Sequence, residues 1–237
     1  MRIYPAIDIL ENQVVRLFQG DYGRVTRYGS SIEDQLSAWK AAGAGRVHVI
    51  DLDGARLGRP NRGLWDRVTG QGVEVQLGGG IRTLEVVREA LESGVDRVIM
   101  GTGAVRSPGI LRSVVERTSS ARLVAAIDVK SGRAGSEGWT DPGRDYRAVI
   151  QDALDSGVGI FLVTAIARDG TLSGPDLDLL QKVRTLAPAA ELMAAGGIAC
   201  MEDLDALAEQ GVNGAVIGKA LYEGGINLTE ALRKYPG

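Results

Sequence analysis

Short runs of β-branched and apolar residues alternate along the whole chain with longer stretches in which apolar positions recur every three or four residues. The runs read as strands at Ile3 to Asp8, Arg46 to Asp51, Val73 to Leu77, Arg97 to Gly101, Leu123 to Asp128, Ile160 to Thr164, Glu191 to Ala194 and Ala215 to Gly218. Helical periodicity fills the gaps between them, as in Ile32 to Ala42, Leu84 to Ser93 and Leu204 to Gln210. Eight strand–helix alternations predict an α/β fold with a parallel sheet and helices outside it. A doubly wound open sheet satisfies that alternation as well as a closed barrel does.

An internal repeat favours closure. Gly94-Val95-Asp96-Arg97-Val98-Ile99-Met100-Gly101 aligns with Gly211-Val212-Asn213-Gly214-Ala215-Val216-Ile217-Gly218, at an offset of 117. Gly79-Gly80-Ile81 matches Gly196-Gly197-Ile198 at the same offset, and Asp53-Gly54 with Gly58 matches Asp169-Gly170 with Gly174 at 116. Ala6-Ile7-Asp8 matches Ala126-Ile127-Asp128 at 120. Four matches in one order point to four βα units used twice. The expected fold is therefore a (β/α)₈ TIM barrel with a twofold half-barrel repeat. It would form one domain over residues 1–237, with halves at about 1–120 and 121–237, since no linker separates them.

Composition narrows the function classes. Hydrophobic residues make up 44% and charged residues 24%, which suits a folded globular chain. No apolar run approaches a membrane span and no signal peptide opens the chain, so a cytoplasmic protein without a membrane partner is expected. A net charge of −3 argues against nucleic acid. Cys200 is the only cysteine and His48 the only histidine, which excludes an internal disulfide and a His/Cys metal cluster. A small-molecule ligand is expected, with no cofactor, no metal and a monomeric chain.

In such a barrel the chemistry sits where the strands end and the βα loops gather. Gly78-Gly79-Gly80 and Gly101-Thr102-Gly103 fall there in the first half, and Gly196-Gly197 and Gly218-Lys219 in the second. Glycines let backbone N–H groups approach an anion closely. A single such pair reads as a tight turn, but two symmetric pairs read as two phosphate sites on opposite sides of one mouth, for a ligand phosphorylated at both ends. Asp8 and Asp128 end strands that face each other across an eight-stranded ring, which suits proton transfer on a ligand stretched between the phosphates. Asp53 and Asp169 follow two further strands, in Asp-Gly pairs that are also turn signals. No nucleophile with a base partner is evident. His48, in an apolar strand, reads as a hydrogen-bonded structural residue, and Cys200, near a helix start, as a packing or capping one. Trp139 lies in a polar, glycine-bearing stretch and suits either stacking on a flat ligand ring or anchoring its own loop.

Several motifs together resemble a known family. They are Pro5-Ala6-Ile7-Asp8, Val15-Arg16-Leu17 with Gln19-Gly20, His48-Val49-Ile50-Asp51-Leu52-Asp53-Gly54-Ala55, Gly78-Gly79-Gly80-Ile81-Arg82, Gly138-Trp139, Arg168-Asp169-Gly170-Thr171-Leu172 and Gly218-Lys219-Ala220-Leu221-Tyr222. Across its whole length the chain is similar to the histidine-pathway phosphoribosylformimino-aminoimidazole carboxamide ribotide isomerases, whose fold is a barrel of duplicated halves. The resemblance implies an Amadori rearrangement of a bisphosphorylated aminoaldose to the aminoketose. It implies Asp8 as base and Asp169 as ring-opening acid, with Asp128 positioning the substrate or sharing the proton transfer. Which of Asp128 and Asp169 is the acid stays open at this point. Thr164 also falls at an active-site position, although Ala165 follows it where many relatives carry Asp. Gly80, Arg82, Thr102, Gly103, Trp139, Gly170, Gly196, Gly197, Gly218 and Lys219 are the implied substrate and phosphate contacts. Two alternatives stand beside this reading: an isomerase that also acts on phosphoribosylanthranilate, and a non-catalytic sugar-phosphate sensor. The sensor predicts lost carboxylates, whereas Asp8, Asp128 and Asp169 are all present.

Overall fold

The computed structural model describes residues 1–136 and 141–237. In chain order its strands are β1 (Arg2–Leu10), β2 (Gln13–Phe18), β3 (Asp21–Arg27), β4 (Arg46–Asp51), β5 (Glu74–Gly78), β6 (Arg97–Met100), β7 (Leu123–Lys130), β8 (Arg133–Ser136), β9 (Asp141–Asp145), β10 (Ile160–Ala165), β11 (Glu191–Ala195) and β12 (Gly214–Ile217). Going round from β1, the strands β4, β5, β6, β7, β10, β11 and β12 pair in parallel, and β12 returns to β1. Helices such as Leu84–Glu92 and Leu177–Leu186 fill the crossovers. The sheet is thus the closed (β/α)₈ barrel expected from the alternation together with the internal repeat. β1 and β7 stand four strands apart in either direction round the ring, so their ends face each other.

Both faces of a barrel strand are buried, which is why the strands read as nearly continuous apolar runs. On β1, Tyr4 and Ala6 join the core inside the barrel, while Ile3, Ile7 and Ile9 join the layer between strands and helices. Inside, Tyr4, Ala6, Ile99, Val124, Ala126, Ile160, Leu162, Met193 and Val216 close the barrel below the mouth. Packing on that scale leaves a floor and no channel.

Two hairpins were not foreseen in the periodicity. β1 turns back antiparallel into β2 and then β3, and β7 turns back into β8 and then β9. β3 is mostly exposed and carries no apolar run, and the short run in β2 is interrupted by Arg16. Each hairpin opens on a two-residue turn with positive φ at both positions: Glu11 and Asn12 after β1, Ser131 and Gly132 after β7. Such turns match the right-handed twist of the strands they join. The two turns lie 120 residues apart, the offset of the Ala6-Ile7-Asp8 match. The last expected helix also begins earlier than its periodicity, at Met201–Glu209 in place of Leu204 to Gln210. Cys200 takes its N-cap position, and the Asp203 carboxylate accepts from the N–H groups of Ala199 (2.7 Å) and Cys200 (3.3 Å). Among the described residues no helix is long and apolar enough to cross a membrane.

Candidate active site

The C-terminal ends of the barrel strands surround a cavity with about 1450 Å³ of atom-free space, counted with the solvent open to it. Asp8, Asp128, Thr164 and Asp169 line it together, with the glycines of both halves. Its charged lining comprises three carboxylates, Asp8, Asp128 and Asp169, against three cations, Arg16, Arg82 and Lys219. Acid–base groups and anion-binding groups therefore share one mouth.

The hairpin after β1 delivers the arginine. Asp8 sits opposite Val15 in the β1–β2 ladder, so the next residue, Arg16, folds back over it. Arg16 Nη1 donates to Asp8 Oδ2 at 2.6 Å, and Nη2 donates to the carbonyl of Ala6. Both side chains are mostly buried, at 13% and 16% exposure, so this ion pair is little screened by solvent. The guanidinium also lies where a side chain on Gly218 would be: a Cβ there would stand 2.5 Å from Arg16 Cζ. Glycine at 218 thus makes room for Arg16 between Asp8 and the second-half loop.

Asp169 reaches the mouth from the loop after β10. Its own carbonyl accepts from the Gln19 N–H at 3.2 Å, and the Gln19 side-chain amide donates to the carbonyl of Ala167 at 2.7 Å. Lys219 Nζ donates to the Gly170 carbonyl at 3.1 Å, tying the same loop to the one after β12. Asp169 is half-buried in the lining of the mouth, which strips water from its carboxyl. That desolvation pushes its pKa up to about 7, the Asp8 charge adds to the effect, and Arg16 opposes it. Asp128 stands in register with Thr164 across the β7–β10 ladder, next to Gly101.

His48 lies on the wall of the cavity and is 5% exposed. Its Nδ1 is 2.9 Å from the Gln76 amide nitrogen. Burial, reinforced by the Arg16 charge, lowers its pKa to about 3, so the imidazole is neutral at physiological pH. The hydrogen-bonded histidine expected from the sequence is present, although it faces the ligand space as well.

The glycines serve the backbone in two ways. At Gly79 φ is +109° and a Cβ would meet the Asp51 carbonyl at 2.1 Å; at Gly197 φ is +85° and a Cβ would meet the Gly174 carbonyl at 2.2 Å. Each is therefore required by a close approach of backbone to backbone, one in each half. Gly80, Gly170, Gly196, Gly218 and Lys219 line the mouth, as do Arg82 and Thr102. Arg82 Nη2 donates to the Ala55 carbonyl at 3.1 Å and covers Gly58.

Other residues singled out in the sequence lie elsewhere. Gly103 is buried behind Thr102, its open side towards Met100 and Ile110, and is not part of the cavity lining. Asp53 accepts from the Glu11 N–H at 2.6 Å and so fastens the first hairpin turn, while its own Asp-Gly pair lies in the helix Leu52–Leu57 and not in the turn that pair signalled. Trp139 lies outside the described residues.

A family model described as histidine biosynthesis protein matches residues 2–227. An isomerase from Streptococcus thermophilus, named for 1-(5-phosphoribosyl)-5-((5-phosphoribosylamino)methylideneamino)imidazole-4-carboxamide, is 41% identical with full coverage of both chains. Proteins of the same name from Parasynechococcus marenigrum and Halothermothrix orenii are 42% and 37% identical. The first covers 98% of this chain and 93% of its own, the second all of both. The chain belongs to the histidine biosynthesis protein family, among its isomerases.

The residue of the mouth that periodicity passed over is Arg16, paired there with Asp8. Its signal was a lone charge in the apolar run Val14-Val15-Arg16-Leu17. A charge there becomes intelligible only when the run is seen to be a hairpin strand laid over β1.

Proposed function

We propose that this isomerase converts the bisphosphorylated phosphoribosylformimino-aminoimidazole carboxamide ribonucleotide from aminoaldose to aminoketose, with Asp169 as acid and Asp8 as base. One observation carries the assignment: two carboxyl groups of one mouth lie in opposite environments. Asp8 is held in an ion pair by Arg16, whereas burial holds the Asp169 carboxyl up to about 7, where it still carries a proton to give. Pairs of carboxyls separated in this way divide the roles of acid and base between them.

In the first step Asp169 gives its proton to the ribose ring oxygen as the bond from that oxygen to the anomeric carbon breaks. The amine lone pair forms the Schiff base. Asp8 then takes the proton from the adjacent carbon, and the electron pair left behind makes the enolamine. Protonation at the former anomeric carbon and loss of the enol proton give the ketose. Arg16 keeps Asp8 aimed and balances negative charge in the mouth, and Asp128 with Thr164 positions the sugar from the opposite wall. The two glycine-bearing ends, around Gly80, Arg82, Thr102 and Gly103 and around Gly170, Gly196, Gly197, Gly218 and Lys219, take the two phosphates. Only backbone N–H groups are asked of Gly103, since its Cβ side faces the core.

We also infer one domain over residues 1–237 made of duplicated half-barrels, supported by the offset repeats and by equivalent hairpin turns after β1 and β7. Steady-state assay of the purified protein with the aminoaldose and with phosphoribosylanthranilate tests the reading. Turnover of the first alone is expected. Turnover of both would establish the dual-substrate alternative, and binding without turnover the sensor.

A further inference from the structure

Behind the Arg16–Asp8 pair stands a column of aromatic rings that the mechanism does not use. Tyr222 stacks on Tyr28 with centroids 4.3 Å apart and planes at 20°, and Trp39 meets Tyr222 edge-on at 5.6 Å. Arg16 Cζ lies 5.6 Å from the Tyr222 ring centroid. The Tyr222 hydroxyl donates to the Ala6 carbonyl at 3.2 Å, the same oxygen that accepts from Arg16 Nη2. Three separate segments meet here: Tyr28 follows β3, Trp39 is on the helix Ile32–Ala41, and Tyr222 ends the short helix after Gly218. None of the three rings lines the cavity.

We propose that Tyr222 is a positioning residue that aims Asp8 by holding Arg16. An arginine side chain has four rotatable bonds, and the contact with Asp8 alone does not fix where its guanidinium lies. The Tyr222 ring bounds it on one side, and the hydroxyl fixes the carbonyl that receives its second nitrogen. Ring faces attract a guanidinium, and more so away from water. Tyr28 and Trp39 hold that ring in turn, so the column transmits the rigidity of the barrel wall to the base. Proton abstraction from carbon demands close alignment, so a loosened Asp8 slows turnover while the phosphates still hold the substrate. This inference rests on the reading of Asp8 as the base.

A double-mutant cycle on kcat tests it. Tyr222→Leu in the wild-type background is expected to lower kcat about tenfold with KM within about twofold, the mark of an interaction felt in the transition state. Tyr222→Phe, which keeps the ring over Arg16, should recover most of that loss. In an Arg16→Met background Tyr222→Leu should cost less than about twofold, because a residue acting through Arg16 has nothing left to aim. Equal losses in both backgrounds, or a raised KM with unchanged kcat, would overturn the proposal and make Tyr222 a packing residue. Should Tyr222→Leu fail to fold, the same cycle with Tyr28→Leu, at the half-buried ring stacked on Tyr222, is expected to lower kcat in the wild-type background and not in the Arg16→Met background, and equal losses in both overturn the proposal. Asp8→Asn measured alongside separates the two claims. Normal turnover by that variant would remove the base itself, whereas additivity removes only the role of Tyr222.

Discussion

Arg16 Nη1 lies 2.6 Å from Asp8 Oδ2, and the same guanidinium occupies the space that any side chain on Gly218 would need. The carboxylate proposed as base and the loop proposed as a phosphate site are thus joined through one arginine. Three cations face three carboxyl groups in that mouth, and the phosphates of a ligand add negative charge to it.

The pH dependence of catalysis should report Asp169. An acid with a pKa near 7 loses its proton as pH rises through neutrality. The profile of kcat/KM for the free enzyme should therefore fall above about pH 7. His48, with a pKa near 3, contributes nothing to that limb. A profile flat to pH 9 would remove Asp169 as the acid.

Stability should carry the same signature with a definite sign. The folded state raises the Asp169 pKa from 3.8 to about 7, so it binds the proton more tightly than the unfolded chain does. The contribution is fully present below about pH 4 and is lost as pH rises towards 7. Replacement by a neutral amide removes this dependence. The Tm of Asp169→Asn should therefore gain on that of the wild type between pH 4 and 7 and hold its lead above. Parallel Tm curves over that range would contradict the assigned burial.

Glycine substitutions separate backbone need from helix propensity. Gly79→Ala sets a Cβ against the Asp51 carbonyl at a positive φ, and the loss should exceed about 2 kcal/mol. Gly109, in the first turn of the helix Pro108–Arg117, has nothing within 4 Å of its Cβ position. Gly109→Ala should raise stability by about 0.4–1 kcal/mol. Denaturant midpoints of the two variants check both signs.

Much of this architecture was readable from the chain. Strands buried on both faces announce themselves as apolar runs, and the duplicated motifs set Asp8 and Asp128 on opposite strand ends. The hairpins after β1 and β7 escaped because half-exposed ribbons lack a hydrophobic period. Arg16 escaped with them, since its role depends on β2 lying over β1. Residue type also could not separate Asp53 from Asp169. Both stand in Asp-Gly pairs, yet the first hairpin turn takes the carboxylate of one as an acceptor and leaves the other facing the mouth. For the same reason the sequence left the acid open between Asp128 and Asp169.

Lys219 tests how the phosphates are held. Its ammonium already donates to the Gly170 carbonyl and stands 3.7 Å from Glu223, so backbone N–H groups are left with most of the anion binding. Lys219→Ala should raise KM by no more than about tenfold, equivalent to about 1.4 kcal/mol. Complete loss of binding, measured by titration with inorganic phosphate, would place the site on the side chain instead.

The central claim is that carboxylates move the protons, and the steady-state kinetics of Asp8→Asn with the aminoaldose test it most directly. Asparagine keeps the size of the side chain and much of its hydrogen bonding, so a substrate held at two phosphates should still bind. It cannot accept a proton from carbon, and general acid–base assistance is typically worth ~10²–10⁴-fold. The account predicts kcat lowered by about that factor with KM changed less than about threefold, so that kcat and kcat/KM fall together. Near-normal kcat with a raised KM as the sole defect would contradict it, making Asp8 a binding residue and moving the search for the base to Asp128.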